Sequence, residues 1–247
     1  MEWITFSKLK NNWPAQLQSH LEGILLAFSQ CDLCGSDSQE QSLICSSCFA
    51  QLPLFEQELT QGDLLNWPAI NKALPHIHFD HLFCLSPYLP PFTHWLSQLK
   101  YQGRFELGSL FADLLAQQWL KVHSTSPIDL ILSVPLHISK WQQRGYNQAH
   151  LIAKPFSKLV QRPYQATVLI RLKENKSQVG QTGAQRRNNL ANVFSLRHPL
   201  GKTVKHVLLI DDVLTTGSTA SEISKLLKDH GVEKITVVTV CLTLPKH

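Results

Sequence analysis

The segment Val207-Leu208-Leu209-Ile210-Asp211-Asp212-Val213-Leu214-Thr215-Thr216-Gly217-Ser218-Thr219 decides the fold. Its four leading apolar residues, with Lys205 and His206 before them, read as a strand over Lys205–Ile210 buried on both faces, as in a parallel sheet. Two carboxylates follow at once, then hydroxyls, a glycine and a helix expected over Ser218–His230. In open α/β sheets ligands sit beyond the carboxyl ends of the strands, which is where Asp211 and Asp212 fall. The first N–H groups of the helix have no intrahelical partner and point into the turn. Gly217 allows close backbone approach, and Thr215, Thr216, Ser218 and Thr219 add hydroxyl donors, so the turn makes a phosphate cradle. The pattern G-x-x-x-x-G-K-[ST] does not occur, which excludes a nucleoside-triphosphate P-loop. The carboxylates would repel a phosphate in direct contact but accept hydrogen bonds from a vicinal diol. Such charge-assisted bonds are worth roughly 1.5–3 kcal/mol each. A ribose 5-phosphate meets both demands: phosphate on the cradle, hydroxyls on Asp211 and Asp212. The same carboxylates can stabilise positive charge developing on the sugar ring.

Working outward, strand and helix alternate. Strands are expected over Leu82–Leu85, Asp129–Val134, Ala166–Leu172, Val193–Leu196 and Lys234–Leu242, and helices over Phe92–Tyr101, Leu107–Val122 and Asn147–Val160, the last with Pro155 inside. This pattern predicts a mostly parallel sheet flanked by helices. Lys173–Asn188 lacks an apolar stripe and carries Gly180 and Gly183, so it reads as a loop. Upstream, Leu17, Leu21, Ile24, Leu25 and Phe28 fall on one face of a helix. Residues 49–80 read as short helices and loops broken by Pro53, Pro68 and Pro75. The domain boundary is expected near residue 80, giving an N-terminal region 1–80 and an α/β domain 81–247.

Within the first region, Cys31-x2-Cys34 and Cys45-x2-Cys48 are separated by ten residues. Each pair sits on a tight turn, so all four thiolates can surround one tetrahedral Zn2+. A closed set of four cysteines is structural, because it leaves no open position for catalysis. Gly35 stands where the turn calls for positive φ. Cys84 and Cys241 lie in apolar runs and read as core.

Charge divides the 247-residue chain: residues 1–80 hold 3 Lys/Arg against 9 Asp/Glu, and residues 81–247 hold 20 against 9. A basic body implies an anionic ligand, either phosphate groups or nucleic acid. The acidic first region favours a protein partner over DNA. No apolar stretch approaches the roughly 20 residues of a membrane span, and the N-terminus does not read as a secretory signal, so a cytoplasmic location is expected.

The Asp-Asp stretch resembles the 5-phosphoribosyl-1-pyrophosphate (PRPP) signature of type I phosphoribosyltransferases. The whole chain resembles the ComF/GntX group, associated with competence and DNA utilisation. The likeness is carried by the four-cysteine knuckle, Leu99-Lys100-Tyr101-x-Gly103, Val134-Pro135-Leu136-His137, Arg144-Gly145-Tyr146-Asn147-Gln148-Ala149 and Gln185-Arg186-Arg187-Asn188-Asn189-Leu190. It implies a type I phosphoribosyltransferase fold with a small N-terminal zinc domain. In that fold Leu214–Thr219 holds the 5-phosphate, and Asp211 and Asp212 hold the ribose. Pro135, Leu136 and His137 form a pyrophosphate loop that works with Arg144 and Mg2+. Lys173–Asn188 becomes a water-excluding lid, whose Lys176, Arg186 and Arg187 suit pyrophosphate and a DNA backbone equally. Lys100 is left open between that anion and solvent, Asn147 between capping and lining. For Tyr146 and Trp141 core packing is expected ahead of base stacking. Many purine enzymes of the family carry a third acidic residue where Thr215 stands, which weakens purine salvage. The resemblance supports a PRPP-dependent glycosyltransferase with an unidentified acceptor. The alternative is a non-catalytic PRPP sensor or adaptor for single-stranded DNA or a competence helicase.

Overall fold

The structure is a computed structural model that describes residues 30–38, 43–123, 127–172 and 193–243. The helix expected through Leu17–Phe28 and the lid expected over Lys173–Asn188, with Lys176, Arg186 and Arg187, lie outside the described residues.

The chain divides into two compact units, Met1–Leu52 and Pro53–His247. The division therefore falls well before the expected boundary near residue 80. The reason is burial: Leu64, Ile70, Leu74 and Phe79 belong to the same core cluster as the sheet residues Leu82, Leu209 and Val237. Backbone bonds tie the segment in as well, with Phe55 N donating to Leu85 O at 2.9 Å and the Gln57 amide to Cys84 O at 2.8 Å. Prolines break this stretch into pieces too short to show a period. They are two 3-10 turns, Gln57–Thr60 and Leu64–Asn66, and a six-residue helix, Pro68–Ala73.

The first unit contains helix α1 (Ser46–Phe49) and a reverse turn at Cys31–Gly35, closed by Gly35 N on Cys31 O at 2.8 Å. Gly35 has φ +72°, the left-handed conformation the turn was expected to need.

The second unit is built on a four-stranded sheet in the order β1-β6-β5-β2, with β1 His81–Pro87, β2 Leu130–Ser133, β5 His206–Leu214 and β6 Lys234–Leu242. Every pair in it is parallel. Strand residues alternate between two faces. Leu82, Cys84, Val207, Leu209, Ile235 and Val237 share a core with Ala220, Ile223 and Leu227 of the helix Ser218–Asp229. Their neighbours face the other way, where Phe83 meets Trp119 of the helix Glu106–His123 at 5.1 Å between ring centroids. Trp119 in turn meets Phe156 of the helix Gln148–Leu159 at 6.4 Å. Two covered faces explain why these strands read as near-continuous apolar runs rather than as strict alternation. Each fully buried large side chain contributes about 1.5–3 kcal/mol.

In chain order the helices among the described residues of this unit are α2 (Pro68–Ala73), α3 (Phe92–Tyr101), α4 (Glu106–His123), α5 (Ile138–Arg144), α6 (Gln148–Leu159) and α7 (Ser218–Asp229). Helix α5 was not expected. It has seven residues and buries none of them, with Ile138 57% and Trp141 50% exposed, so no apolar stripe marks it. Trp141 is correspondingly at the surface and not in the core. The strand expected over Ala166–Leu172 is shorter, β3 (Leu169–Arg171), and pairs antiparallel with β4 (Phe194–Leu196) in a separate two-stranded sheet.

Strand β5 runs four residues past the expected Ile210. Its register with β2 ends at Ile210 opposite Ser133, while its register with β6 continues to Leu214 opposite Leu242. The stretch Asp211–Leu214 is thus paired on one side only. The gap left where β2 stops is the crevice into which functional groups can be placed.

Candidate functional site

Asp211 and Asp212 lie on this one-sided extension. Both are half-buried, and Asp211 Oδ1 accepts the amide of Asp212 at 2.8 Å. Burial, followed by the negative charge of Asp212, pushes the Asp211 carboxyl up to about 7, against the opposing pull of the Asp212 amide, Lys100 and Arg171. Lys100, from the last turn of α3, places Nζ 2.7 Å from Asp212 Oδ2. Burial alone would lower the lysine. The Asp212 carboxylate outweighs it and holds the ammonium above its ordinary value. Where the sequence left Lys100 open between an anion and solvent, the structure gives it a third partner, the Asp212 carboxylate. Arg171, on β3, is a second cation near Asp211 that sequence reasoning missed. Nothing local marks it, since only the pairing of β3 with β4 brings it there.

The turn after β5 carries the residues read as a cradle. Leu214 is buried, Thr215 and Thr216 are exposed, and Thr216 Oγ1 lies 2.8 Å from Ser218 Oγ. Gly217 is the N-cap of α7 at φ +69°, and no side chain caps the helix. An added Cβ there would meet Leu74, Ile77 and Phe79 at 3.5–3.6 Å, so the turn rests on the segment that precedes β1. Contrast the two other helices that start nearby. His137 Nδ1 accepts Ser139 N to cap α5, and Asn147 Oδ1 accepts Ala149 N to cap α6. Those amides are satisfied internally, whereas the first amides of α7 have no side-chain partner.

The loop Pro135–His137 leaves β2 beside the crevice. Val134 N donates to Ile210 O at 2.9 Å, and the Asn147 amide donates to Val134 O at 2.9 Å. His137 thus serves α5, and Asn147 both caps α6 and braces the loop. Arg144 donates to Gln148 Oε1 at 3.2 Å and to the Tyr101 hydroxyl at 3.3 Å, with its guanidinium 5.0 Å from the Tyr101 ring centroid. The Tyr146 hydroxyl donates to Leu99 O, and its ring meets Phe105 edge-on at 4.7 Å. The motifs at 99–103 and 144–148, far apart in sequence, are therefore one assembly that steadies the turn bearing Lys100. Between them lies a cleft of about 400 Å³ lined by Lys100, Tyr101, Gly103, Phe105, Gln143, Arg144 and Tyr146.

In the first unit, ligand atoms of Cys31, Cys34, Cys45 and Cys48 all lie within 4.8 Å of one another, as expected for a metal-binding set. Crowding alone is electrostatically awkward for four thiols. Although burial opposes it, backbone hydrogen bonds lower Cys31 to about 6, while the neighbouring sulfurs, Cys34 foremost, push Cys48 up to about 12. A cation among them lets all four ionise. Cys84 and Cys241 are fully buried, as expected of core thiols. Among the described residues no helix is long and apolar enough to cross a membrane.

A parallel sheet ending in a carboxylate pair and an uncapped turn defines a phosphoribosyltransferase-type domain, and residues 151–246 match the phosphoribosyl transferase domain family. The chain is 30% identical to the DNA utilization protein YhgH of Escherichia coli (strain K12), an alignment covering 87% of this chain and 90% of that protein. It is 32% identical to competence protein F of Haemophilus influenzae, covering 85% and 83%. The chain belongs to this ComF/GntX family of competence and DNA-utilisation proteins. Among solved structures it is similar to a hypoxanthine phosphoribosyltransferase from Staphylococcus aureus, at 15% identity over 58% of this chain and 76% of that one, with a TM-score of 0.36.

Proposed function

We propose that the crevice at the end of β5 binds PRPP and that the protein uses it in DNA uptake or utilisation. The 5-phosphate sits on the free amides of residues 215–219, and the ribose hydroxyls sit on Asp211 and Asp212. One observation carries this reading: on a single turn, an uncapped helix start adjoins two carboxylates that no backbone amide from another segment satisfies among the described residues. Magnesium fits the donor set, being a hard cation suited to carboxylate and diphosphate oxygens, and it would reduce the charge on the departing diphosphate. Asp211 and Asp212 orient the sugar and face the positive charge that grows at C1 as the diphosphate leaves. Arg144, with the amides of Pro135–His137 that are not prolyl, lies on the diphosphate side.

Calorimetry with PRPP and Mg2+ tests the binding step, and absence of heat with the wild-type protein refutes it. Release of pyrophosphate in the presence of bases or single-stranded DNA tests turnover.

A second reading is favoured by the cleft beside Lys100. Tyr101 and Phe105 are 69% and 51% exposed there, next to Arg144. Exposed rings with a guanidinium suit stacked bases and a phosphate backbone. In this reading the PRPP site is regulatory, and the protein is an adaptor for single-stranded DNA or a helicase. Binding of a labelled oligonucleotide that weakens steeply with salt supports this reading, and salt-independent binding contradicts it.

The four-cysteine set is proposed to hold structural zinc. The Cys34–Cys45 sulfur separation is 3.7 Å. That is close to the edge of a tetrahedron with Zn–S bonds of about 2.3 Å, roughly 3.8 Å. One zinc per chain by elemental analysis, lost in Cys34→Ser, is the expected result.

A further inference from the structure

We propose that Lys100 is the residue by which this site selects a sugar bearing a diphosphate at C1 over plain ribose 5-phosphate. The inference rests on the reading of the crevice as a PRPP site and adds a mechanism of selection to it. Without ligand, Lys100 Nζ sits 2.7 Å from Asp212 Oδ2, and the two side chains are only 21% and 14% exposed. Oδ2 of the carboxylate that ribose hydroxyls would use is therefore already taken by a cation. A hydroxyl can take that place only if the ammonium moves off.

What happens to the ammonium decides the affinity. A largely buried charge that loses its partner is costly, far more so than an exposed pair that opens into water. Plain ribose 5-phosphate carries only a hydroxyl at C1 and offers Lys100 nothing in return. PRPP carries a diphosphate on C1, the carbon adjoining the one that bears the 2-hydroxyl. The lysine then exchanges one anion for another within reach of its own side chain.

The surroundings are built for such an exchange. Lys100 also lines the cleft that holds Arg144, so an anion lodged there meets two cations. The backbone of the turn does not need to move. The Tyr146 hydroxyl holds Leu99 O, and Tyr101 is held by Arg144 through the 3.3 Å hydrogen bond and the stacked guanidinium. Only the four-carbon lysine stem has to swing. Asp211 is the other charged group felt by the ammonium, and it too favours keeping a cation near until a ligand brings its own charge balance.

The test is calorimetric titration of wild type, Lys100→Met and Lys100→Arg with PRPP and with ribose 5-phosphate, each with Mg2+. Wild type is expected to prefer PRPP by about tenfold or more, the worth of one charge-assisted contact. In Lys100→Met the affinity for PRPP falls while that for ribose 5-phosphate holds or rises, so the preference collapses toward unity. Lys100→Arg retains a preference. A parallel loss of both sugars in Lys100→Met, or an unchanged ratio, overturns the proposal while leaving the PRPP site standing. Wild-type protein that binds neither sugar refutes the site itself, and this inference with it. Should Lys100→Met melt at a much lower temperature, the ratio measured for Lys100→Arg decides: a preference lost there, with folding intact, contradicts a simple exchange of cations.

Discussion

The two ends of the sheet use aspartate in opposite ways. At the amino ends, each carboxylate accepts at least one backbone amide from another segment. Asp63 accepts Leu65 N and Leu82 N, both at 3.0 Å, and meets His81 Nδ1 at 2.7 Å. Asp80 accepts Ile235 N at 2.8 Å and pairs with Lys228 at 2.7 Å. Asp129 accepts Lys205 N and His206 N, both at 2.8 Å. These three stitch down the starts of β1, β6 and β5. At the carboxyl end, Asp212 is paired with one lysine side chain, and Asp211 accepts the amide of its own neighbour. A carboxylate fixed by amides of another segment cannot exchange partners without unfolding something. One held by a flexible ammonium can. The difference separates carboxylates that hold the fold from carboxylates available to a ligand, although both kinds lie at strand ends and look alike in sequence.

The difference is open to attack from both sides. Asp63→Ala leaves two amides and a histidine without their acceptor in a half-buried place, and should cost about 3–5 kcal/mol in urea unfolding. Its ligand affinity should be unchanged at temperatures where it is folded. A loss under 1 kcal/mol would show that the amino-end aspartates are not structural.

The pH response should have opposite signs at the two ends. Asp211 is raised to about 7 from an ordinary value of 3.8, first by burial and then by Asp212. The native state therefore binds more protons than the unfolded state in that window, and stability falls as pH rises from about 4 to about 7. The expected decline, relative to Asp211→Asn, is roughly 2–4 kcal/mol. Asp129 is lowered by the amides of His206 and Lys205, and Asp63 is lowered by His81 and the amides of Leu82 and Leu65 despite burial. Their contribution is present above about pH 4 and is lost as pH falls through their depressed values. Unfolding curves between pH 3 and 8 for wild type, Asp211→Asn and Asp129→Asn distinguish these slopes. The same slope in both variants would remove the contrast.

Asp212→Asn probes the exchangeable end directly. The amide keeps the shape but loses the charge that makes the diol bond strong. PRPP affinity should drop by about 1.5–3 kcal/mol in calorimetry, and the melting temperature should fall as well, because the largely buried Lys100 loses its charged partner. Equal affinity in variant and wild type contradicts a ribose role for Asp212. The smallest effect is expected at the turn itself. Gly217→Ala meets Leu74, Ile77 and Phe79 at ordinary contact distance but must adopt φ +69°. It should lose about 1–2 kcal/mol of stability, through the left-handed backbone and not through a clash. A loss above 3 kcal/mol would mean that the packing under the turn is tighter than these distances.

Much of this was legible in the chain. The apolar-rich runs within 82–85, 129–134, 205–210 and 234–242 gave their strands because a core on both faces demands apolar residues on both sides of the strand. The cysteine spacing announced its cluster because two short turns suffice to bring four sulfurs together. Helix α5 stayed hidden because Ile138 and Trp141 face outward, and a helix that buries nothing leaves no periodic trace. The segment before β1 groups with the second compact unit because Leu64, Ile70, Leu74 and Phe79 join a core whose other members lie far along the chain, which no local pattern announces.

By itself, the sequence determined that the glycine- and hydroxyl-rich turn and the paired carboxylates lie side by side, since adjacent residues on one strand–turn–helix must arrive together. Only the tertiary structure decided what those carboxylates do without a ligand. Lys100 reaches Asp212 across more than a hundred residues, and Arg144 with Tyr146 steadies the turn that delivers it. Local patterns fix what adjacent atoms can do. Charge balance in a low-dielectric crevice depends on every group that folding brings within a few ångströms, and no short window of sequence contains them all.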